Sequence, residues 1–178
     1  MILLFFCKGR TWQEVETQLQ IQLNAIMDWL RCNSMCLNIE KTKVMMFGTE
    51  KKLRQSTMAI LSNGVQLDVV HNMTYLGVIL ESSLKWTKHI DSVISKISRV
   101  IGIIRRIKYY ITKKNLIDLY YSLILPYIDY CSMIWGNTSK TNIMKIQRAQ
   151  NKYARIVLNE SMFCPSLYLL NTLRWQSI

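Results

Sequence analysis

The chain has 178 residues, a length that suits about one domain or part of a larger one. Half of it is hydrophobic, 19% is charged, and it has two prolines and six glycines, which excludes a disordered, collagen-like or loop-dominated chain. Lys and Arg number 23 against 11 acids, a net charge of +12 that points to a polyanionic partner.

The excess is uneven. Residues 1–80 carry eight basic and six acidic groups, whereas residues 81–178 carry fifteen and five. The positive field therefore belongs to the second half. Five scattered cysteines, with no second close pair or neighbouring histidine to complete a zinc set beside Cys32 and Cys36, read as buried reduced thiols. Reduced thiols suit an intracellular protein of the cytoplasm or nucleus. The apolar opening run is too short to span a bilayer and lacks the parts of a secretion signal.

In chain order, Met1–Phe6 predicts a buried strand, whose pairing partners would lie in a longer protein. Thr11 and Glu14 have capping-box spacing. Trp12, Val15, Leu19, Leu23, Ile26 and Leu30 behind them form one face of a helix of about twenty residues, stopped at Asn33 or Asn38. Lys43–Phe47 predicts a strand. Residues 49–64 are mostly polar and end in an Asn63-Gly64 turn. Val65–Val70 and Thr74–Leu80 predict two strands around a His71-Asn72 turn. Residues 1–81 thus predict an α+β unit of strand, helix, strand and hairpin.

From Leu84 the apolar period becomes helical. Trp86–Ile107 predicts a long helix, Lys114–Leu125 a second ending before Pro126, Asn142–Leu158 a third, and the tail a fourth. Tyr127–Trp135 predicts a short helical or buried turn element. Residues 82–178 therefore predict an all-α, basic helical bundle.

No acidic pair is placed to clamp catalytic metal ions, and no nucleotide-binding loop, nucleophile elbow or metalloprotease motif occurs. Binding is better supported. On the long helix Lys88, Arg99 and Arg106 fall within about 20° of one another, with Ser92, Ser95 and Gly102 between them. Small residues there would let a phosphate backbone approach. On the third helix Lys145, Arg148, Lys152 and Arg155 form a stripe in a segment without acids. Such like-charge neighbours cost roughly 0.2–0.5 kcal/mol per pair, a loss that a polyanion would reverse with steep salt dependence. Trp86, Tyr109, Tyr110, Tyr120, Tyr121, Tyr127, Tyr130, Trp135 and Tyr153 read mostly as core.

The order of elements resembles a known family. Trp29-Leu30-Arg31-Cys32-Asn33, then Leu37-Asn38-Ile39-Glu40-Lys41-Thr42-Lys43 and an apolar strand, resembles the palm segment after the catalytic aspartates of non-LTR (jockey-type, LINE-like) retrotransposon reverse transcriptases. Tyr75-Leu76-Gly77 is similar to the family's primer-grip hairpin, and Leu84-Lys85-Trp86-Thr87-Lys88-His89-Ile90 to the start of its thumb. Leu119-Tyr120, Leu125-Pro126-Tyr127, Tyr130, Trp135-Gly136 and Ile146-Gln147-Arg148-Ala149-Gln150 continue the pattern.

The resemblance implies the end of a palm over residues 1–81 and a thumb-like bundle, truncated at its C-terminus, over 82–178. In the family a Tyr-x-Asp-Asp hairpin comes just before the segment matched here, so the metal-binding aspartates are expected to be absent and the chain inactive alone. Mg2+ is then expected only in the full-length parent, and no cofactor in this chain. Lys41 becomes a candidate proton donor to pyrophosphate, while Tyr75 and Gly77 would approach the primer. The implied partner is an RNA/DNA template–primer duplex held by its phosphates, together with a palm and fingers portion. No membrane or small-molecule partner is expected. The alternative is a non-enzymatic nucleic-acid-binding or interaction module derived from a retroelement.

Overall fold

A computed structural model describes residues 4–54 and 58–178. They form two compact units. The first takes the chain up to Thr74 together with Leu80–Leu84, and the second takes Tyr75–Ile79 and Lys85–Ile178.

The first unit is α+β. Its helix α1 (Trp12–Cys32) begins at Thr11, whose hydroxyl accepts a bond from the Glu14 N–H at 3.2 Å. The Glu14 carboxylate turns back one residue beyond the usual capping box and accepts from Arg10 N–H at 2.9 Å. Asn33 ends the helix. Leu23 of α1 packs with Val44, Met46, Met58, Ile60 and Leu67, and Trp12, Val15, Leu19 and Met27 close the cluster from the helix side. Strand β1 (Lys43–Val44) precedes the short helix α2 (Glu50–Arg54), in a stretch the polar composition leaves without structure. β2 (Leu61–Ser62) and β3 (Val65–Gln66) pair antiparallel around Asn63-Gly64, both with positive φ as a two-residue hairpin turn requires. β4 (Asp68–Val69) returns beside β1 in parallel, with Lys43 opposite Asp68 and their side chains 2.6 Å apart.

Three expectations are corrected here. Leu4–Phe6 form no strand and lie exposed; an apolar run becomes a strand only where another strand accepts its backbone bonds, and no described strand does. The rest of that expected strand, Met1–Leu3, lies outside the described residues. The hairpin turn is not at His71-Asn72. β5 (Asn72–Tyr75) and β6 (Val78–Glu81) pair around Leu76-Gly77 instead, where both residues have the positive φ the turn needs. Finally, the cysteines are free but none is buried: Cys32 and Cys36 are exposed, and Cys7, Cys131 and Cys164 are half-buried.

The second unit is helical: α3 (Thr87–Ile107), a 3-10 turn Lys108–Tyr110, α4 (Lys113–Leu123), α5 (Leu125–Asp129), α6 (Ser132–Trp135), α7 (Lys140–Leu158) and α8 (Ser166–Leu173). Thr112 and Ser139 cap α4 and α7 through their hydroxyls. Pro126 sits in the first turn of α5, where its missing N–H costs nothing. Ile90, Val93, Ile97, Ile101 and Ile104 form the buried face of α3, and Ile146, Ala149, Tyr153, Ala154 and Val157 that of α7. Each fully buried isoleucine contributes roughly 1.5–3 kcal/mol. An aromatic stack completes the core: Tyr120 lies 3.7 Å from Trp175, centroid to centroid, and 6.0 Å from Tyr153.

Candidate nucleic-acid interface

The start of α3 is set by the chain before it. Leu84 and Trp86 both adopt positive φ, and the Trp86 side chain is buried. The Lys85 carbonyl accepts from the Thr138 hydroxyl at 3.0 Å and from Asn142 Nδ2 at 3.3 Å. The N-terminal ends of α3 and α7 are thereby tied together. On α3, Lys88, Arg99 and Arg106 are exposed, opposite the buried isoleucines. Gly102 between them is open, with nothing within 4 Å of a Cβ added there. Arg99 and Arg106 make no ion pair among the described residues.

The four cations of α7 divide into two kinds. Arg148 and Lys152, one turn apart, are exposed and unpaired among the described residues. Lys145 instead pairs with Asp91 of α3 at 2.7 Å. Arg155 reaches the Cys164 carbonyl with Nη2 at 3.0 Å, and its Nε is buried without a partner among the described residues. Two members of the stripe thus have partners within the unit: Lys145 pairs with Asp91 at the surface between α7 and α3, and Arg155 holds the loop that leads to α8.

The tip of the β5–β6 hairpin belongs to the same unit. Tyr75 is half-buried and Gly77 is exposed at φ +79. A Cβ on Gly77 would meet the Tyr130 ring at 3.5 Å, so the glycine's open face is turned to Tyr130. Lys41 lies in the first unit, exposed in a turn in which its N–H donates to Asn38 Oδ1 at 3.0 Å.

The comparisons with known proteins agree on one group. The chain is 22% identical over 159 residues to the probable RNA-directed DNA polymerase from transposon X-element of Drosophila melanogaster. It is 25% identical over 149 residues to the RNA-directed DNA polymerase from mobile element jockey of Drosophila funebris. It is also 27% identical over 158 residues to the probable RNA-directed DNA polymerase from transposon BS of Drosophila melanogaster. The chain is similar to the RNA-directed DNA polymerases of non-LTR retrotransposons. The matches cover 80–85% of this chain. They cover only 16–17% of the fly proteins, so the chain spans about a sixth of the length of the relatives it matches. No family model and no solved structure matches the chain.

Sequence reasoning missed Asp91. Its signal was available: it is the sole acid between residues 82 and 117, on the flank of a basic helix. The aromatics are also less buried than expected. Trp86, Tyr120, Trp135 and Tyr153 are core, but Tyr109, Tyr110, Tyr121, Tyr127 and Tyr130 are exposed. Chain turns place them: Tyr109 and Tyr110 fall in the connection after α3, and Tyr127 and Tyr130 on the short α5 segment, where little can cover them. Among the described residues no three His, Cys, Asp or Glu side chains could hold a metal ion. No described helix is long and apolar enough to cross a membrane.

Proposed function

We propose that this chain is the part of a retrotransposon polymerase that grips the template–primer duplex by its phosphates, inside the cell, in the cytoplasm or nucleus. The observation that carries this reading is the pair Arg148 and Lys152. They are exposed and unpaired among the described residues, on a helix of 19 residues without an acid. Arg99 and Arg106, opposite the isoleucine face of α3, extend the positive surface, and the small side chains beside them permit close approach of a sugar–phosphate backbone. Binding of this kind gives affinity and little base readout. Lys88 lies on the same face as Arg99 and Arg106. Lys145 joins once a phosphate replaces Asp91, and Arg155 supports the stripe from behind. Tyr75 and Gly77 would meet the primer strand at the hairpin. Lys41 is a candidate to approach an incoming nucleotide's phosphates in a complete enzyme.

The test is binding of the 178-residue chain to an RNA–DNA duplex across a salt series. Affinity should fall steeply with salt, and the pair Arg148→Ala, Lys152→Ala should reduce the log–log slope by about 0.9 for each phosphate that is no longer neutralised. Equal slopes for both proteins would remove this face from the reading. Nucleotide addition is not expected of these residues by themselves, and primer extension with Mg2+ by the purified chain would overturn that part.

A further inference from the structure

The connection from α3 to α4 is unlike the duplex-facing stripes. Residues 107–114 contain Lys108, Lys113 and Lys114, and no acid occurs from Ser92 to Ile117. In the middle stand two adjacent tyrosines: Tyr109 is 80% exposed and Tyr110 90%. One exposed tyrosine is ordinary. Two neighbouring rings this open, framed by cations on both sides, are a surface of flat apolar faces set in positive charge.

Two details give the surface a ligand. Lys108 is held by a 2.9 Å bond from Nζ to Asn159 Oδ1, which places its ammonium 4.8 Å from the centroid of the Tyr109 ring. The ring is thus buttressed by a cation while remaining open to solvent. The Tyr110 side chain makes no hydrogen bond or ring contact among the described residues. The second detail is electrostatic. α4 opens with Lys113 and Lys114 and has no acid in its first turn, so two positive charges sit at the positive end of a helix, the wrong sign for its dipole. An anion bound there corrects the mismatch. Bases for the rings and phosphates for the lysines are offered together by one kind of molecule.

We infer that the α3–α4 connection is a stacking platform for single-stranded nucleic acid, with Tyr109 and Tyr110 under the bases and Lys113 and Lys114 on the phosphates. In a duplex the base faces are already stacked on one another and cannot reach the rings, so the platform selects an unpaired strand. The inference does not need the duplex reading above, because its ligand and its carrying residues differ.

The experiment measures fluorescence anisotropy of three labelled probes with the full chain: a deoxythymidine strand of about 20 nucleotides, longer than one site of the usual size, an abasic strand of equal phosphate number, and vesicles of phosphatidylserine and phosphatidylcholine. Tyr109→Ala with Tyr110→Ala should weaken deoxythymidine binding by roughly tenfold or more, given about 1–3 kcal/mol for each stacked base. Tyr110→Ala alone should weaken it in part, and Tyr109→Phe with Tyr110→Phe should leave it within about twofold, since stacking needs the ring and not the hydroxyl. The abasic strand should bind more weakly than deoxythymidine and ignore the tyrosine changes. Lys113→Gln with Lys114→Gln should weaken both strands alike. Circular dichroism checks that each variant keeps the wild-type helical signal, and the Phe pair and the single Tyr110→Ala variant keep the test decisive if the double Ala variant loses it. Unchanged deoxythymidine binding by both alanine variants overturns the inference, as does equal wild-type affinity for the abasic strand. Vesicle binding that falls with the tyrosines as far as strand binding does would make this a membrane surface and also overturn it. Arg148→Ala with Lys152→Ala in the same assays separates the two sites: it should leave the tyrosine dependence in place, whatever it does to duplex affinity.

Discussion

The Tyr130 hydroxyl donates a 2.7 Å hydrogen bond to the Leu76 carbonyl, 54 residues earlier in the chain. That bond fixes the tip of the β5–β6 hairpin to the segment between α5 and α6, and the same tyrosine ring lies 3.5 Å from where a Cβ on Gly77 would stand. Both turn residues lie in the left-handed region, Leu76 at φ +46 and Gly77 at φ +79. A side chain there costs about 1–2 kcal/mol, which glycine avoids and leucine does not. Gly77→Ala should therefore lower stability by roughly 1–2 kcal/mol. Leu76→Asn should raise it by up to about 1 kcal/mol, because Asn-Gly is the preferred pair for this turn. Tyr130→Phe should cost about 0.5–1.5 kcal/mol by removing the hydrogen bond. Urea midpoints of the three variants check the signs, and a destabilising Leu76→Asn would contradict this account of the turn.

The Lys145–Asp91 pair leads to a prediction of opposite character. Both side chains are partly exposed, 34% and 54%, so the pair adds little to stability, about 0–1 kcal/mol. Asp91 nevertheless neutralises one cation of the stripe and repels phosphate. Asp91→Asn should leave the melting temperature nearly unchanged and tighten duplex binding, most clearly at low salt. Arg155→Ala should behave in the reverse way. It removes a charged hydrogen bond to the Cys164 carbonyl, so it should lower stability by roughly 1–2 kcal/mol, while Arg148→Ala stays within about 0.5 kcal/mol of wild type. Thermal melts and duplex titrations of the three variants separate these roles.

The long helices were legible because burial there repeats at the helical period. Ile90, Val93, Ile94, Ile97, Val100, Ile101, Ile104 and Ile107 announce α3 from sequence; the structure buries five of them, half-buries Ile94 and Val100, and leaves Ile107 exposed at the helix end. The short strands were not. β1 and β4 have two residues each, and their parallel pairing joins Lys43 to Asp68 across 25 positions, a partnership that no local pattern encodes. The turn at Leu76-Gly77 was hidden from composition, since leucine is a poor turn signal and the Tyr130 bond that holds the tip comes from 54 residues away; only the family resemblance marked Tyr75-Leu76-Gly77 as a hairpin. For the candidate interface, spacing puts Lys88, Arg99 and Arg106 on one face of α3, where the structure leaves them exposed. Spacing could not tell that Lys145 meets Asp91 or that Arg155 meets Cys164, because both partners come from elsewhere in the fold.

Tyr153 makes the helical unit sensitive to alkali. Its hydroxyl donates to the Leu116 carbonyl at 2.7 Å inside the core, and burial pushes its pKa up to about 12 from an ordinary 10. The unfolded chain loses this proton first, so the stability that the neutral phenol provides is fully present below about pH 10 and declines as pH rises towards about 12. Tyr120, raised by burial as well, adds to the same trend. Tyr153→Phe should cost about 1 kcal/mol at neutral pH by removing the hydrogen bond and should flatten the alkaline decline. Denaturation midpoints at about pH 8, 10 and 11 would show it, and parallel curves for the two proteins would exclude Tyr153 as the source.

His89 sets the acid side. Its Nδ1 accepts from the Ile79 N–H at 3.3 Å, which leaves the proton on Nε2, a buried atom without a partner among the described residues. The ring lies 5.9 Å from Trp135, so a charge on it would have no solvent to stabilise it. Burial, followed by the nearby Lys96 ammonium, lowers its pKa below the usual 6.5. A second proton would have to occupy Nδ1 and would break the bond from Ile79. The unfolded chain takes up that proton near pH 6.5 and the folded chain resists it. The contribution to stability is therefore complete above about pH 6.5 and declines as pH falls through the lower folded value. His89→Gln can still accept the Ile79 N–H through its amide oxygen but cannot titrate, so it should remove this part of the acid sensitivity. Urea midpoints at about pH 7.5, 6 and 5 decide the matter: the wild type should decline more steeply than His89→Gln, and equal slopes would place the acid sensitivity in other groups.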